Sequence, residues 1–137
     1  MKIGIIGSMQ FTEEMIKVKE ELISLGHEAY LTDLHTPFIG KSWDEIEKIK
    51  IHQKNNLDAI REFWNKMQGG EAVLVLNLDK NGIKNYIGAN TFLEMGYAKY
   101  KGKKIFILNP LPNQKYINDE LLSFEPMILN GDFSLIS

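Results

Sequence analysis

The sequence contains no cysteine, and this absence excludes several kinds of site. Disulfide frameworks, cysteine metal centres and thiolate nucleophiles all need a cysteine sulfur. The three histidines, His27, His35 and His52, lack the His-x-x-x-His spacing of a helical metal site. We therefore expect neither a metal nor another cofactor, and the absence of cysteine favours a cytoplasmic location.

The chain also lacks a strong excess of charge of one sign. Its formal net charge is -2 and its isoelectric point is about 5.9. Proteins that bind the phosphate backbone of nucleic acids usually carry an excess of positive charge. We therefore expect no nucleic-acid partner, and we interpret the basic run from Lys99 to Lys104 as a solvated helix end.

Long hydrophobic runs are missing too. The apolar start, Met1 to Gly7, is too short for a membrane span or for the hydrophobic part of a signal peptide. We expect no membrane partner and interpret this run as a first strand. With 137 residues, 44% of them hydrophobic and 25% charged, the chain has the composition of one globular domain over residues 1–137.

Short apolar runs alternate with helical patterns along the chain. Five runs predict strands: Lys2–Ile6, His27–Thr32, Ala72–Leu76, Lys103–Leu108 and Met127–Leu129. Between them the spacing predicts a helix that begins near Thr12 as its N-cap, and a long helical region from Ser42, the first residue of a capping box, to about Met67. That region is either one helix or two helices with a break near residues 52–56. A short helix is predicted over Tyr116 to Phe124.

This alternation predicts an α/β fold in which helices cover both faces of a parallel sheet. We expect a flavodoxin-like three-layer sandwich with strand order 2-1-3-4-5. Ligands of such sheets bind beyond the carboxyl ends of the strands, near the change in strand order. The candidate ligand contacts in the loops at this edge are Gly7, Ser8, Met9, Asn77 and Asn109. A tight turn without a ligand is an equally good interpretation of Gly7-Ser8, and Asp79-Lys80-Asn81-Gly82 is also a ready-made turn.

The stretch from Asn85 to Ala98 sets polar and glycine residues between two apolar runs, and we predict the active site there. It ends as a helix whose first turns contain the carboxylate of Glu94. However, Thr91-Phe92-Leu93-Glu94 also matches a capping box, in which Glu94 would accept a hydrogen bond from the backbone N–H of Thr91. The pattern alone slightly favours this capping role.

Part of this stretch resembles the nucleoside 2-deoxyribosyltransferase superfamily. The similar segment runs from Gly88 to Ala98, ends in Leu93-Glu94-Met95-Gly96-Tyr97-Ala98, and is followed by Lys101-Gly102-Lys103-Lys104-Ile105-Phe106. The N-terminal Ile5-Ile6-Gly7-Ser8-Met9-Gln10-Phe11 is also similar to the family's first strand and loop. With the alternation of strands and helices, the resemblance covers nearly the whole chain.

The resemblance implies an enzyme that cleaves or exchanges the N-glycosidic bond of a (deoxy)nucleoside or nucleoside 5′-monophosphate. Glu94 would attack C1′ of the sugar and form a covalent glycosyl-enzyme, as in retaining glycosidases. Asp79 is then the expected proton donor to the departing base, and Gly88 and Asn90 join the expected substrate contacts. The resemblance also implies a homo-oligomer, at least a dimer.

Two other hypotheses stay open. In one, the chain is a non-catalytic nucleotide-binding or sensor domain, in which Gly7-Ser8 and Asn90 hold the ligand and Glu94 only caps its helix. In the other, a strand-end carboxylate such as Asp79 takes part in phosphotransfer, but the sequence lacks the acidic cluster that this chemistry needs.

Overall fold

A single parallel sheet forms the centre of the protein in a computed structural model, which describes residues 1–137. Its strands are β1 (Lys2–Gly7), β2 (Glu28–Tyr30), β3 (Ala72–Leu76), β4 (Lys104–Ile107) and β5 (Met127–Ile128). The strand order is β2-β1-β3-β4-β5, and every pair is parallel. The predicted flavodoxin-like α/β fold is therefore confirmed.

Five helices connect and cover these strands. They are α1 (Thr12–Ser24), α2 (Trp43–Asn56), α3 (Ala59–Met67), α4 (Ala89–Tyr100) and α5 (Asn118–Ser123). Short 3-10 turns lie at Met9–Phe11, Asp33–Phe38 and Phe133–Leu135. None of the helices combines the length and the hydrophobicity that crossing a membrane requires.

The core lies on both faces of the sheet, because alternate strand residues point to opposite sides. On one face, Val73 and Val75 pack with residues of α3 and α4, among them Met67 and Met95. On the other face, Leu74 and Leu76 belong to a cluster that includes residues of α1 and the C-terminal segment. All five residues of β3 are buried, as expected of a central strand that is covered on both faces.

The long helical region is divided in two. Ser42 and Glu45 form the predicted capping box at the start of α2. The helix ends at Asn56, and Asp58 then adopts a left-handed conformation with φ of 50° before α3 begins. This conformation interrupts the helical hydrogen bonds just beyond the predicted break.

The predicted N-cap role of Thr12 is wrong. A 3-10 turn at Met9–Phe11 runs directly into α1, so Thr12 is already the first helical residue and Phe11 takes the cap position without a side-chain bond. The Thr12 hydroxyl instead donates to the backbone oxygen of Met9. This bond ties α1 to the loop that follows β1.

Candidate functional site

A cavity of about 230 Å³ lies at the carboxyl-terminal edge of the sheet, beside the end of β1, the strand at which the order changes direction. The end of β1 and the following turn form part of its wall, and the N-terminal half of α4 forms another part. Side chains from α2, α3 and the loop after β3 also line it, as do Met15 of α1 and the segment after β2. The cavity is therefore at the edge that the fold rule selects, within reach of the helix that contains Glu94.

Glu94 lies on the wall of this cavity with only 6% of its surface exposed. The predicted capping box is wrong, because Gly88 with its extended backbone is the N-cap residue of α4 and the helix begins at Ala89. Thr91 and Glu94 are both buried inside the helix, and no side chain caps its N-terminus. Helix capping therefore does not explain the presence of Glu94.

Burial controls the ionisation of Glu94. It raises the pKa of this carboxyl group to about 8, and the negative charge of Glu62 acts in the same direction. The positive charge of Lys54 opposes the rise, but no hydrogen bond stabilises the carboxylate form. Glu94 is therefore mostly protonated at neutral pH.

Lys80 lies in the same cavity and is presented by a tight turn. Lys80 and Ile83 exchange backbone hydrogen bonds, while Asn81 and Gly82 between them adopt positive φ angles of 54° and 73°. This is the hairpin-like conformation that Asn-Gly pairs favour, so the predicted turn is confirmed. The turn holds Lys80 so that only 8% of its surface is exposed.

The ammonium group of Lys80 has few partners. Its Nζ atom donates to Ser8 Oγ at 3.1 Å and lies 5.1 Å from the centre of the Tyr86 ring. No carboxylate lies within salt-bridge distance of it. Burial lowers the pKa of Lys80, and the positive charge of Lys50 lowers it further.

Two lysines of α2 reach the same cavity. Lys50 forms a 3.0 Å ion pair with Glu47 one helical turn away. Lys54 is exposed and has no ion-pair partner. With Lys80 they form what we call the lysine cluster: Lys50, Lys54 and Lys80.

Six residues that the sequence predicts for the site are brought together in this cavity. They are Gly7, Ser8, Met9, Gly88, Asn90 and Glu94. They come from two separate parts of the chain, the turn after β1 and the start of α4, which meet because the two segments lie at the same edge of the sheet.

Asn77 and Asn109, predicted as substrate contacts, do not line the cavity. They bind each other instead. The Asn77 side chain donates from Nδ2 to the backbone oxygens of Asn109 and Pro110, both at 3.0 Å, and accepts from Asn109 N at 2.9 Å. The Asn109 side chain donates in return to the backbone oxygen of Asn77 at 3.1 Å. Together they fasten the ends of β3 and β4 to each other.

Asp79 lies outside the cavity as well. Its side chain is exposed, and Oδ1 accepts a 2.9 Å hydrogen bond from the backbone N–H of Asn85. Asn85 has a positive φ of 57°, so this bond supports a left-handed turn in the loop that leads to α4. The contact explains Asp79 as a structural residue of this loop.

Sequence reasoning missed the lysine cluster as part of the site. The sequence pattern around Lys80 predicts only a turn, although this residue lies in one of the strand-end loops selected by the fold rule. Lys50 and Lys54 lie on α2, far from those loops in sequence. Only tertiary packing of α2 brings them to the cavity, so no local pattern could have identified them.

The chemical groups of the site are thus one buried carboxyl group, three lysines and several small polar residues. No three or more histidine, aspartate or glutamate side chains are grouped so that they could hold a metal ion. Comparison of the chain with known protein families and with curated proteins gave no match.

Proposed function

We propose that this protein cleaves the N-glycosidic bond of a (deoxy)nucleoside or nucleoside 5′-monophosphate, or exchanges its base, with Glu94 as the nucleophile. One observation carries the proposal. Glu94 is a buried carboxyl group on the wall of a cavity, and no hydrogen bond stabilises its charge. Such a group is costly to bury, and strongly shifted carboxyl groups in clefts are common at sites of chemistry.

The helix start strengthens this proposal against the binding-domain alternative. That alternative gave Glu94 a structural role as a cap, and the structure shows no such bond. The side chain of Glu94 is also not needed to fill the core, since it faces a cavity. A carboxyl group that faces a cavity is open to a ligand, and this supports a role for Glu94 in chemistry.

The proposed reaction has two steps. The ionised Glu94 forms a bond from a carboxylate oxygen to C1′ while the bond from C1′ to the base nitrogen breaks, and the base leaves with that electron pair and takes up a proton. Water, or a second base, then attacks C1′, releases Glu94 and gives up a proton. Lys54 favours the ionised form of Glu94 that the first step requires.

The proton for the departing base is a separate question. Asp79 is the donor expected from the sequence, but its carboxylate lies outside the cavity and accepts the hydrogen bond from Asn85, so we take this proton to come from water. Asn90 and Ser8, which line the cavity, can bind sugar hydroxyls through their side chains. Both side chains are neutral, so they do not alter the charge around Glu94.

We also propose a homo-oligomer, on the strength of the family resemblance. An apolar groove between α3, α4 and α5 supports it: Trp64, Phe92, Leu93, Gly96, Tyr97, Tyr100 and Phe124 line this groove. Leu93 is 49% exposed and Tyr100 is 85% exposed. Apolar surface of this kind is commonly covered by another protein chain.

Free base released from a panel of nucleosides and nucleotides, measured by chromatography, tests the proposal. We expect base release by the unaltered protein and a loss of roughly a thousandfold or more in the Glu94→Gln variant, because the nucleophile is removed while its shape is kept. Glu20→Gln makes the same chemical change at an exposed position of α1 and serves as the matched control. It should retain full activity.

Two results would contradict the proposal. Base release by a folded Glu94→Gln variant at the rate of the unaltered protein would remove Glu94 from the mechanism. Nucleotide-dependent thermal stabilisation without any base release would instead support the binding-domain alternative. Far-ultraviolet circular dichroism of each variant establishes that it is folded.

A further inference from the structure

Lys80 is a buried cation with no anion beside it. A charged group that is removed from water normally has an opposite charge or a full set of hydrogen bonds to offset the loss of hydration. Lys80 has one hydroxyl, from Ser8, and the face of the Tyr86 ring. Its ammonium group can donate two more hydrogen bonds, and the surface around it that is open to a ligand is the cavity.

The whole lysine cluster faces this cavity. The negative charge of Glu47 raises the pKa of Lys80, but Glu47 is already paired with Lys50. Glu94 is the carboxyl group in the cavity wall, and it is mostly protonated at neutral pH. Three lysines and one ionised glutamate give the cavity a net positive charge.

A structural role does not account for this arrangement. A lysine that serves only to hold a loop would be expected to donate to backbone oxygens or to pair with a carboxylate, as Lys66 does with Leu31 and Asp33. Lys80 does neither, and the nearby positive charges make its own charge less favourable. An anionic ligand would relieve both costs.

We propose that Lys80, Lys50 and Lys54 form a phosphate subsite, so that the ligand of the cavity is a phosphorylated nucleoside and not a free nucleoside. The nucleoside part of this inference rests on the proposed function, whereas the anion part rests on the lysines alone. A phosphate ester offers the several strong acceptor oxygens and the double negative charge that three ammonium groups can bind.

The position of the lysines fits the chemistry of such a ligand. In a nucleoside 5′-monophosphate the base is attached to C1′ of the sugar and the phosphate, through C5′, to C4′, so the two groups extend from different ring carbons. Lys80 lies beside Ser8 in the turn after β1, while Glu94 projects from α4, and both line one cavity. The phosphate can therefore bind at the lysine cluster while C1′ faces Glu94.

Binding is measured in the Glu94→Gln background, so that turnover does not disturb the titration. The probes are the 5′-monophosphates of the common ribo- and deoxyribonucleosides, the matching free nucleosides, and inorganic phosphate. We expect at least one monophosphate to bind roughly ten- to a hundredfold more tightly than its nucleoside, the effect of one or two charge-assisted hydrogen bonds. This preference should shrink as the salt concentration rises.

Two lysine variants locate the subsite. Lys80→Gln should remove most of the preference for the monophosphate, and Lys54→Gln should reduce it. Lys84→Gln makes the same charge change on an exposed residue of the same loop that does not line the cavity, and Lys48→Gln does so on α2. Both controls should leave the preference intact. Because Lys54 is exposed, its variant keeps the test valid if Lys80→Gln does not fold.

The possible outcomes separate this inference from the proposed function. Equal affinity for nucleoside and monophosphate, equal loss in Lys80→Gln and Lys84→Gln, or no binding of any probe would each overturn the phosphate subsite. A lysine-dependent preference for the monophosphate, without base release by the unaltered protein, would support the subsite and overturn the glycosidic reaction. Binding of inorganic phosphate that depends on Lys80, with no added affinity for any nucleotide, would overturn the nucleoside part of the inference.

Discussion

Two polar groups at the same edge of the sheet show opposite arrangements. Asn77 and Asn109 follow β3 and β4, and three hydrogen bonds join them while Asn77 makes a fourth to the backbone oxygen of Pro110. Glu94 and Lys80 line the cavity at the same edge, and each is buried with little or no compensation for its charge. The polar groups of the asparagine pair are already hydrogen-bonded within the chain, whereas Glu94 and Lys80 can still form hydrogen bonds or ion pairs with a ligand.

The contrast teaches that position at a strand end does not by itself identify a functional residue. The rule that ligands bind beyond the carboxyl ends of parallel strands applies equally to both pairs. What separates them is whether their hydrogen bonds and charges are already satisfied. Variants of the first pair should therefore affect stability alone, whereas variants of the second pair should affect chemistry and the pH dependence of stability.

The largest expected effect on stability is a pH dependence that Glu94 causes. The pKa of Glu94 is raised to about 8 in the folded protein, from a usual value of 4.5. Between these values the unfolded chain loses the proton that the folded protein keeps, so stability falls as the pH rises. The fall is up to about 1.4 kcal/mol per pH unit, and on the order of 5 kcal/mol over the interval.

Urea unfolding at several pH values from 5 to 9 measures this effect. Glu94→Gln cannot lose a proton, so its stability should fall much less, and the difference between the two proteins should grow up to about pH 8 and then stay constant. Tyr30 does not interfere, because burial raises its pKa to about 12. Glu45 and Glu47 do not interfere either, because hydrogen bonds lower their pKa values below this range. Parallel curves for the two proteins would show that Glu94 ionises freely.

The next effect concerns the satisfied pair. Asn77→Ala removes three hydrogen bonds and leaves the partly buried N–H of Asn109 without its partner. We expect a loss of about 3 kcal/mol in the free energy of unfolding, measured with urea at pH 6, because an unsatisfied buried group costs more than the bond contributes.

Asn65→Ala is the matched control for this variant. Asn65 is exposed on α3, so the same substitution there should change stability by less than about 0.5 kcal/mol. A loss of similar size in both variants would mean that the Asn77–Asn109 contacts do not distinguish the two positions.

The sequence was sufficient for the fold and for part of the site. Apolar runs with few interruptions marked β1, β3 and β4, because most residues of these strands are buried and need no alternation. The edge strands β2 and β5 are more exposed, and their patterns are weaker. Glu94 was found through a motif whose residues are adjacent in the chain. The same adjacency misled the capping interpretation, because the backbone of Gly88 starts α4 earlier than the Thr91 pattern indicates.

The remainder of the site depends on contacts that no local pattern encodes. Lys54 reaches the cavity only because α2 packs near the turn after β1. Similarly, the sequence does not show that Asn77 and Asn109 form hydrogen bonds with each other. Strand ends can be located from periodicity, but the satisfaction of their polar groups is a property of the folded chain.

The smallest expected effect tests the one predicted catalytic residue that lies outside the cavity. Asp79→Asn keeps the oxygen that accepts from the Asn85 backbone and removes only the charge and the proton. Since Asp79 is exposed and already engaged in the loop, base release should change less than about threefold, and stability by less than about 0.5 kcal/mol. Asp79→Ala, which also removes the acceptor, should lower the free energy of unfolding by about 1 kcal/mol.

A loss of base release of a hundredfold or more in Asp79→Asn, with stability unchanged, would instead make Asp79 the proton donor. The loop from Lys80 to Asn85 would then have to rearrange when substrate binds, and the contrast between satisfied and unsatisfied groups would fail at this residue.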